Sequence, residues 1–213
     1  MITNKKKINI ESFLHKGFTL IELLVSISII TVIMSVVLFS YGVFNDTLVL
    51  NSAVQEISIA IRQAQIYGLS VKENVGSTCG TTFCAGYGIY FNLDDKTNYY
   101  IFVDQNNNSK YDGDSTCAAG SECIEKDTLR NGIKISGICG KAFLGSMTCP
   151  VDASVKSLNV TFLRPIPDAI IRFTNVSNVI YGPVFQTGRI DLTSPKGKTA
   201  SITIENTGQI SVQ

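Results

Sequence analysis

One carboxylate, Glu22, stands alone in an apolar stretch that runs from Phe18 to Tyr41. At about 1.5 Å per residue, a helix of this length spans roughly 36 Å, enough to cross a hydrocarbon core of about 30 Å. An ionisable side chain near the start of a membrane span costs free energy, and such residues usually serve a function. We therefore expect Glu22 to take part in an interaction within the membrane.

The residues before this stretch form a short basic leader, 1–17. Its charged side chains other than His15 are four lysines and one glutamate: Lys5, Lys6, Lys7, Lys16 and Glu11. Basic residues ahead of an apolar run predict a cytoplasmic N-terminus. An ordinary secretory signal would be cut after the apolar stretch at small residues, but no Ala-x-Ala site occurs before Gly42. We expect the apolar stretch to be retained.

The basic leader ends at Gly17, Phe18 follows it, and Glu22 stands four residues later at the start of the apolar run. This pattern resembles the class III signal of type IV pilins and type II secretion pseudopilins. The resemblance implies that a prepilin peptidase cuts between Gly17 and Phe18 and that the new amino terminus is methylated. It also implies that Glu22 pairs with the Phe18 amine of a neighbouring subunit, which offsets the cost of burying both charges and sets axial register. The alternative is a plain signal anchor whose Glu22 reaches the membrane interface.

Oxygen-bearing side chains between residues 104 and 114 have the spacing of a calcium loop. Those at the first, third, fifth and ninth positions of an EF-hand-type loop are Asp104, Asn106, Asn108 and Asp112. Ser109 replaces the usual glycine, and Ser115 stands where a bidentate glutamate belongs, so Asp114 would have to substitute in a shortened loop. The pattern predicts either a weak calcium site that stiffens the loop or a solvated Asn/Asp turn.

All six cysteines follow the apolar stretch: Cys79, Cys84, Cys117, Cys123, Cys139 and Cys149. An even number on the exported side predicts disulfides formed in an oxidising compartment. Among the 15 possible connectivities, the short spacings favour Cys79–Cys84, Cys117–Cys123 and Cys139–Cys149. The sequence contains no Cys-x-x-Cys pair, which argues against a zinc site or a thioredoxin-like redox site.

The sequence offers little to an enzyme. The single histidine, His15, lies in the leader, so a product that starts at Phe18 has no histidine for a catalytic triad or a metal site. Gly197-Lys198-Thr199 fails as a phosphate loop because Leu192 stands where the first glycine is required. We expect no catalytic residues, and a membrane-anchored enzyme is the least favoured interpretation.

Basic residues gather near the C-terminus, namely Arg189, Lys196 and Lys198, with Asp191 among them. Without the leader the chain has 14 basic residues (18 less four) and 16 acidic ones (17 less one). A near-neutral body gives no general electrostatic reason to bind nucleic acid. Some FimT-like pilins bind DNA through C-terminal arginines, yet Gln209 stands where arginine is expected. A solvated face is favoured, and a DNA-capturing pilin for uptake is the alternative.

The helical pattern continues beyond the membrane stretch. Residues at alternating steps of four and three form a narrow, mostly apolar stripe: Val43, Thr47, Leu50, Val54, Ile57, Ile61, Ala64 and Gly68. Polar residues, Asp46 among them, lie off the stripe. We predict one continuous helix from Phe18 to about Lys72. Its end, residues 61–71, is similar to that of GspH/FimT-like minor pseudopilins, or is an ordinary amphipathic terminus.

After residue 76 the chain becomes rich in short β-type runs separated by turns. The predicted strands are Tyr87–Asn92, Tyr99–Asp104, Gly132–Ile138, Leu158–Leu163, Ala169–Thr174, Val184–Gln186, Thr199–Glu205 and Gln209–Val212. Strands gathered after one long helix predict an α+β fold of pilin-like architecture, with an antiparallel sheet laid on the helix stripe. The expected segments are leader 1–17, membrane half 18–42, amphipathic half 43–73 and globular domain 74–213.

The resemblance, with which these features agree, implies a minor pilin or pseudopilin of a type IV pilus or a type II secretion pseudopilus. The expected partners are a prepilin peptidase, other pilin subunits in a helical filament and an inner-membrane assembly platform. The expected location is the bacterial inner membrane, with a cytoplasmic N-terminus and an exported C-terminal domain, followed by the filament after assembly.

Overall fold

The computed structural model describes residues 17–70, 85–118 and 120–213, with the backbone alone for residues 39–43. One long helix, α1 (Leu20–Leu69), is followed by eleven strands. The strands are β1 (Gly86–Asn92), β2 (Asn98–Asp104), β3 (Cys123–Thr128), β4 (Lys134–Lys141), β5 (Met147–Thr148), β6 (Val155–Phe162), β7 (Ala169–Asn175), β8 (Ile180–Phe185), β9 (Thr187–Thr193), β10 (Thr199–Glu205) and β11 (Ile210–Val212). The chain divides into two compact units at the Gly42–Val43 bond.

The first unit contains the apolar half of α1. Within it, Leu20–Leu38 is long and apolar enough to cross a membrane, judged by length and composition. Its hydroxyl side chains donate to carbonyls one turn back, as Ser26 Oγ does to Glu22 O (2.7 Å) and Ser35 Oγ to Thr31 O (2.8 Å). Because these bonds satisfy the hydroxyls within the helix, the segment presents few unpaired polar groups to an apolar surrounding.

The second unit is built on the amphipathic half of α1. Of the predicted stripe, Leu50, Val54, Ile57, Ile61 and Ala64 are all at most 3% exposed. They join residues of both sheets in one apolar core. The predicted stripe is therefore confirmed as the buried face from Leu50 to Ala64, whereas the side chain of Val43 lies outside the described residues. Asp46, which lies off the stripe, is buried too, and its carboxylate accepts a hydrogen bond from Ser194 Oγ (2.6 Å).

The strands form two antiparallel sheets. One has the order β3-β2-β1-β6-β7-β8, and the other has the order β11-β10-β9-β4-β5. Glycines in the second sheet allow the two to approach closely: a Cβ on Gly188 would lie 3.1 Å from side-chain atoms of Leu158 and Ile171, and one on Gly140 would lie 2.7 Å from the Phe173 ring. The α+β antiparallel fold is confirmed, but the strands divide between two sheets where one was expected.

Most predicted strands are present with small shifts in their ends. The β1–β2 hairpin pairs Ile89 with Ile101, and the β10–β11 hairpin turns at Gly208, whose φ of +79° favours glycine. Three strands were not predicted: β3, β5 and β9. β9 is the notable omission, because it lies between β10 and β4 near the centre of its sheet.

Candidate functional site

The proposed processing site lies at the start of α1. Gly17, Phe18 and Thr19 precede the helix and are exposed, and a Cβ on Gly17 would meet nothing within 4 Å. Thr19 caps the helix, since its Oγ1 accepts a hydrogen bond from the backbone N–H of Glu22 (3.3 Å). A threonine followed three residues later by glutamate is the sequence signature of a capped helix start. Helix α1 therefore begins at Leu20, two residues after Phe18.

Glu22 lies in the first turn of α1 and is exposed. In the described part of the chain its carboxylate has no hydrogen-bond or ion-pair partner, whereas its backbone N–H and C=O are engaged by Thr19 and Ser26. A negative side chain in the first turn is favoured by the helix dipole. Its carboxylate is thus available to a partner from outside the chain.

The 104–122 loop, which connects β2 to β3, is organised by buried carboxylates. Asp104 is 1% exposed, and its two oxygens accept hydrogen bonds from the backbone N–H groups of Asn108 (3.0 Å) and Ser109 (2.7 Å). Burial raises the pKa of Asp104, although these bonds oppose the shift. Asp104 therefore folds the first part of the loop around its side chain.

Asp112 gathers the second part of the loop. Its Oδ2 accepts hydrogen bonds from the side-chain amides of Asn106 (2.9 Å) and Asn108 (2.6 Å), and its Oδ1 pairs with the Lys110 ammonium. Burial alone would raise the pKa of Asp112, but hydrogen bonds from Lys110, Asn106 and Asn108 outweigh it and lower that pKa. Asp104, Asn106, Asn108 and Asp112 thus share one loop, as a calcium site requires.

Asp114, the fifth predicted ligand, is engaged elsewhere. Its carboxylate accepts hydrogen bonds from Thr116 Oγ1 (2.7 Å) and from the Thr116 backbone N–H (3.1 Å), and the side-chain hydrogen bond from Thr116 lowers its pKa. Asp114 therefore shapes the turn that follows.

Glu122 enters the loop instead and was missed from the sequence. It is 6% exposed, and its oxygens accept hydrogen bonds from the backbone N–H groups of Gln105 (3.1 Å) and Asp112 (2.7 Å). Burial, together with the neighbouring charges of Asp112 and Asp104, raises the pKa of Glu122 to about 7. In the sequence, the one indication that Glu122 belongs to this loop is that it precedes Cys123. The disulfide predicted between Cys117 and Cys123 brings that part of the chain back to the loop.

Calcium at this loop stays a prediction. Binding would need the Asn106 and Asn108 amides to turn their oxygens inward and Lys110 to leave Asp112. Among the described residues, the one group of three acidic or thiol ligand atoms within 4.8 Å of one another is Cys139, Cys149 and Asp191. Because a disulfide joins those two cysteines, they do not offer thiolates to a metal.

Two disulfides lie in the described residues. Cys117 and Cys123 are bonded with Cα atoms 5.1 Å apart, and Cys139 and Cys149 with Cα atoms 4.5 Å apart. These are the pairs favoured by their spacing. Cys79 and Cys84, like the leader residues 1–16, lie outside the described residues.

Arg189, the arginine of the DNA-binding alternative, is already engaged. Its guanidinium forms an ion pair with Asp191 (Nε–Oδ1 2.9 Å) and donates a hydrogen bond from Nη2 to Asp191 Oδ2 (3.2 Å). Nη2 also lies against the sulfurs of Cys139 (3.2 Å) and Cys149 (3.1 Å). This geometry neutralises the charge that a phosphate backbone would use. It favours a structural role for Arg189.

Comparison with known proteins bears on the N-terminal segment. Residues 13–38 match the family model described as the prokaryotic N-terminal methylation motif. No curated protein and no solved structure matches the chain. The motif confirms a class III prepilin signal and supports a precursor of the type IV pilin and pseudopilin family, processed at its N-terminus. A signal of this type implies a structural subunit rather than an enzyme, and together with the apolar helix it fits membrane anchoring.

Proposed function

We propose that the chain is a minor pilin or pseudopilin that becomes a filament subunit of a type IV pilus or a type II secretion pseudopilus. A prepilin peptidase cuts between Gly17 and Phe18, and the Phe18 amine is methylated. The subunit then waits in the inner membrane, with its second unit on the exported side, until an assembly platform moves it into the filament. A GspH/FimT-like subtype is part of this proposal.

One observation carries the proposal: the methylation motif at residues 13–38 overlies the start of a helix whose apolar part, Leu20–Leu38, is exposed along its length. A helix that is apolar all round is stable in a membrane or inside an assembly of similar helices. A filament subunit needs both environments in turn, lipid before assembly and neighbouring subunits afterwards.

Glu22 has the assembly role in this proposal. Its carboxylate has no partner among the described residues, and it lies one helical turn from the new Phe18 amine. Pairing with the amine of a neighbouring subunit would neutralise both charges in a surrounding of low dielectric. It would also disfavour any axial position in which the two charges do not meet.

The test compares Glu22→Ala with Gly17→Leu in a cell that makes the filament. We expect the peptidase to remove the leader from the Glu22→Ala chain, because the variant keeps the cleavage site. The processed chain should be largely missing from sheared filaments, because it has lost the contact that sets the axial register. Gly17→Leu should keep its full length in the membrane, since open space around Gly17 leaves the fold unchanged and only the peptidase meets the new side chain. Normal incorporation of the Glu22→Ala chain would contradict the assembly role.

A further inference from the structure

Three turns meet at one end of the second unit: β1–β2 (93–97), β3–β4 (129–133) and β9–β10 (194–198). The backbone N–H of Ile135 donates to Lys96 O (2.8 Å), and that of Leu129 donates to Thr97 O (2.7 Å). Lys134 at the start of β4 pairs with Thr193 at the end of β9. Strand pairing therefore fixes the three turns side by side.

These turns carry a group of basic side chains, here called the basic rim. The rim consists of Lys96, Arg130, Lys134, Lys196 and Lys198, all of them exposed. Lys96 and Lys134 also line a groove of about 530 Å³, whose other lining residues are both polar, Ser136 and Ser194 among them, and apolar, Ile135 and Pro195 among them. The rim thus combines several cations with a concave surface of mixed polarity.

Few acidic groups oppose the rim. Asp94 lies near Lys156 (3.8 Å), and Asp95 accepts a hydrogen bond from the Tyr100 hydroxyl (2.6 Å). Buried Asp46 accepts the hydrogen bond from Ser194. Lys156 is a further cation at this end and Asp127, near the end of β3, a further carboxylate. Among the described residues here, six basic side chains therefore face four acidic ones, a net charge of +2.

The end that carries the rim is also the end at which the chain enters the second unit. Asp46 is only the fourth residue of that unit and follows Tyr41, where the apolar stretch ends, by five residues. Its bond to Ser194 Oγ (2.6 Å) ties the β9–β10 turn to this first part of the unit. Chain connectivity therefore keeps the rim within a short tether of any membrane that the apolar segment spans.

We propose that the basic rim binds anionic phospholipid headgroups on the exported face of the membrane while the precursor waits for assembly. The proposal rests on the membrane-resident precursor described above. Lysines close to a membrane are attracted to anionic lipids, and their long stems let the ammonium groups reach the headgroups. The tether favours lipid over nucleic acid, because it keeps the local concentration of lipid at the rim high.

The experiment uses the full-length chain reconstituted into vesicles of phosphatidylcholine alone or of phosphatidylcholine with phosphatidylglycerol. An amine-reactive reagent is added, and labelling of each lysine is read by peptide mass spectrometry relative to Lys141. Lys141 is the internal control because it lies at the opposite end of β4 from Lys134, about 23 Å along the strand. We expect the rim lysines to be labelled roughly fivefold more slowly in the anionic vesicles, and high salt should remove the difference.

Two variants carry the same substitution at opposite ends of β4, one in the rim and one outside it. Lys134→Glu should reduce protection of Lys96 and Lys198 in anionic vesicles, whereas Lys141→Glu should leave their protection unchanged. Equal labelling of the wild-type rim in both kinds of vesicle, with the chain still floating with the lipid, would overturn the rim proposal alone. Protection by added duplex DNA but not by phosphatidylglycerol would also overturn it. Failure of the chain to float with either vesicle would overturn the membrane anchor as well.

Discussion

Glu122 is a buried carboxyl group whose pKa, raised to about 7, lies within the physiological range. Glu122, at the end of the 104–122 loop, accepts hydrogen bonds from the backbone N–H groups of Gln105 at its start and Asp112 at its middle. When Glu122 is ionised, its negative charge lies near the carboxylates of Asp112 and Asp104. The protonated form is therefore favoured in the folded state relative to the unfolded chain, in which the pKa is near its ordinary value of 4.5.

This shift predicts a loss of stability as the pH rises. The pKa of Glu122 is higher in the folded state than in the unfolded chain. Its contribution to the free energy of unfolding is therefore fully present below pH 4.5 and is lost as the pH rises through about 7. We expect Glu122 to account for roughly 2–3 kcal/mol of that decrease, with Asp104 acting in the same direction. Urea unfolding of the full chain in detergent at pH 5 to 8 measures it.

Glu122→Gln is the control for the pH dependence. Glutamine cannot ionise, so the variant should show a flatter profile whatever its absolute stability. A profile as steep as that of the unchanged chain would assign the effect to another group.

At the scale of elements, α1 stabilises the second unit through one face. Ile57 is fully buried, whereas Ile59, two residues later, is 67% exposed. Truncating a buried isoleucine removes apolar contacts and leaves a cavity, at a cost of about 2–5 kcal/mol. We expect Ile57→Ala to lower the free energy of unfolding by that amount and Ile59→Ala to change it by less than about 0.5 kcal/mol.

The same chemical change at the two positions separates packing from helix propensity. If both variants lost stability equally, the buried stripe would not be what holds the helix to the sheets. Urea unfolding of the two full-length variants in detergent makes the comparison.

The 104–122 loop is the element in which calcium binding can be tested. Bound calcium would favour ionised Asp104, Asp112 and Glu122. We expect millimolar calcium to raise the melting temperature and to flatten its dependence on pH, and we expect chelation to reverse both effects.

Two variants assign the calcium ligands. Asp112→Asn should abolish the response, whereas Asp114→Asn should retain it because Thr116 already engages the Asp114 carboxylate. An unchanged melting temperature in millimolar calcium would end the calcium hypothesis and leave a turn stabilised by its own hydrogen bonds.

For the whole molecule, local patterns predicted more than long-range contacts. The stripe from Leu50 to Ala64 was predictable because helix periodicity places its residues on one face. The Gly208 turn was predictable from its residue types. The division into two sheets depends on close approach at Gly140 and Gly188 to residues distant in sequence, which no local pattern reveals.

Two omissions have specific physical causes. In β9, Arg189 and Asp191 interrupt the apolar run, but they neutralise each other on the partly exposed face of the strand, while Ile190 and Leu192 are buried on the other face. Glu122 follows Asp104 by 18 residues, and only the folded loop brings the two together. The N-terminal signal was predictable because its residues act in one short segment.

The N-terminal residue of the membrane form tests the central claim most directly. Intact-mass and peptide mass spectrometry of the chain extracted from membranes should find Phe18 first, carrying one methyl group on its amine. A co-expressed prepilin peptidase should be required for that form. Recovery of Met1 or Ile2 as the first residue in cells with an active peptidase would contradict the assignment as a filament subunit.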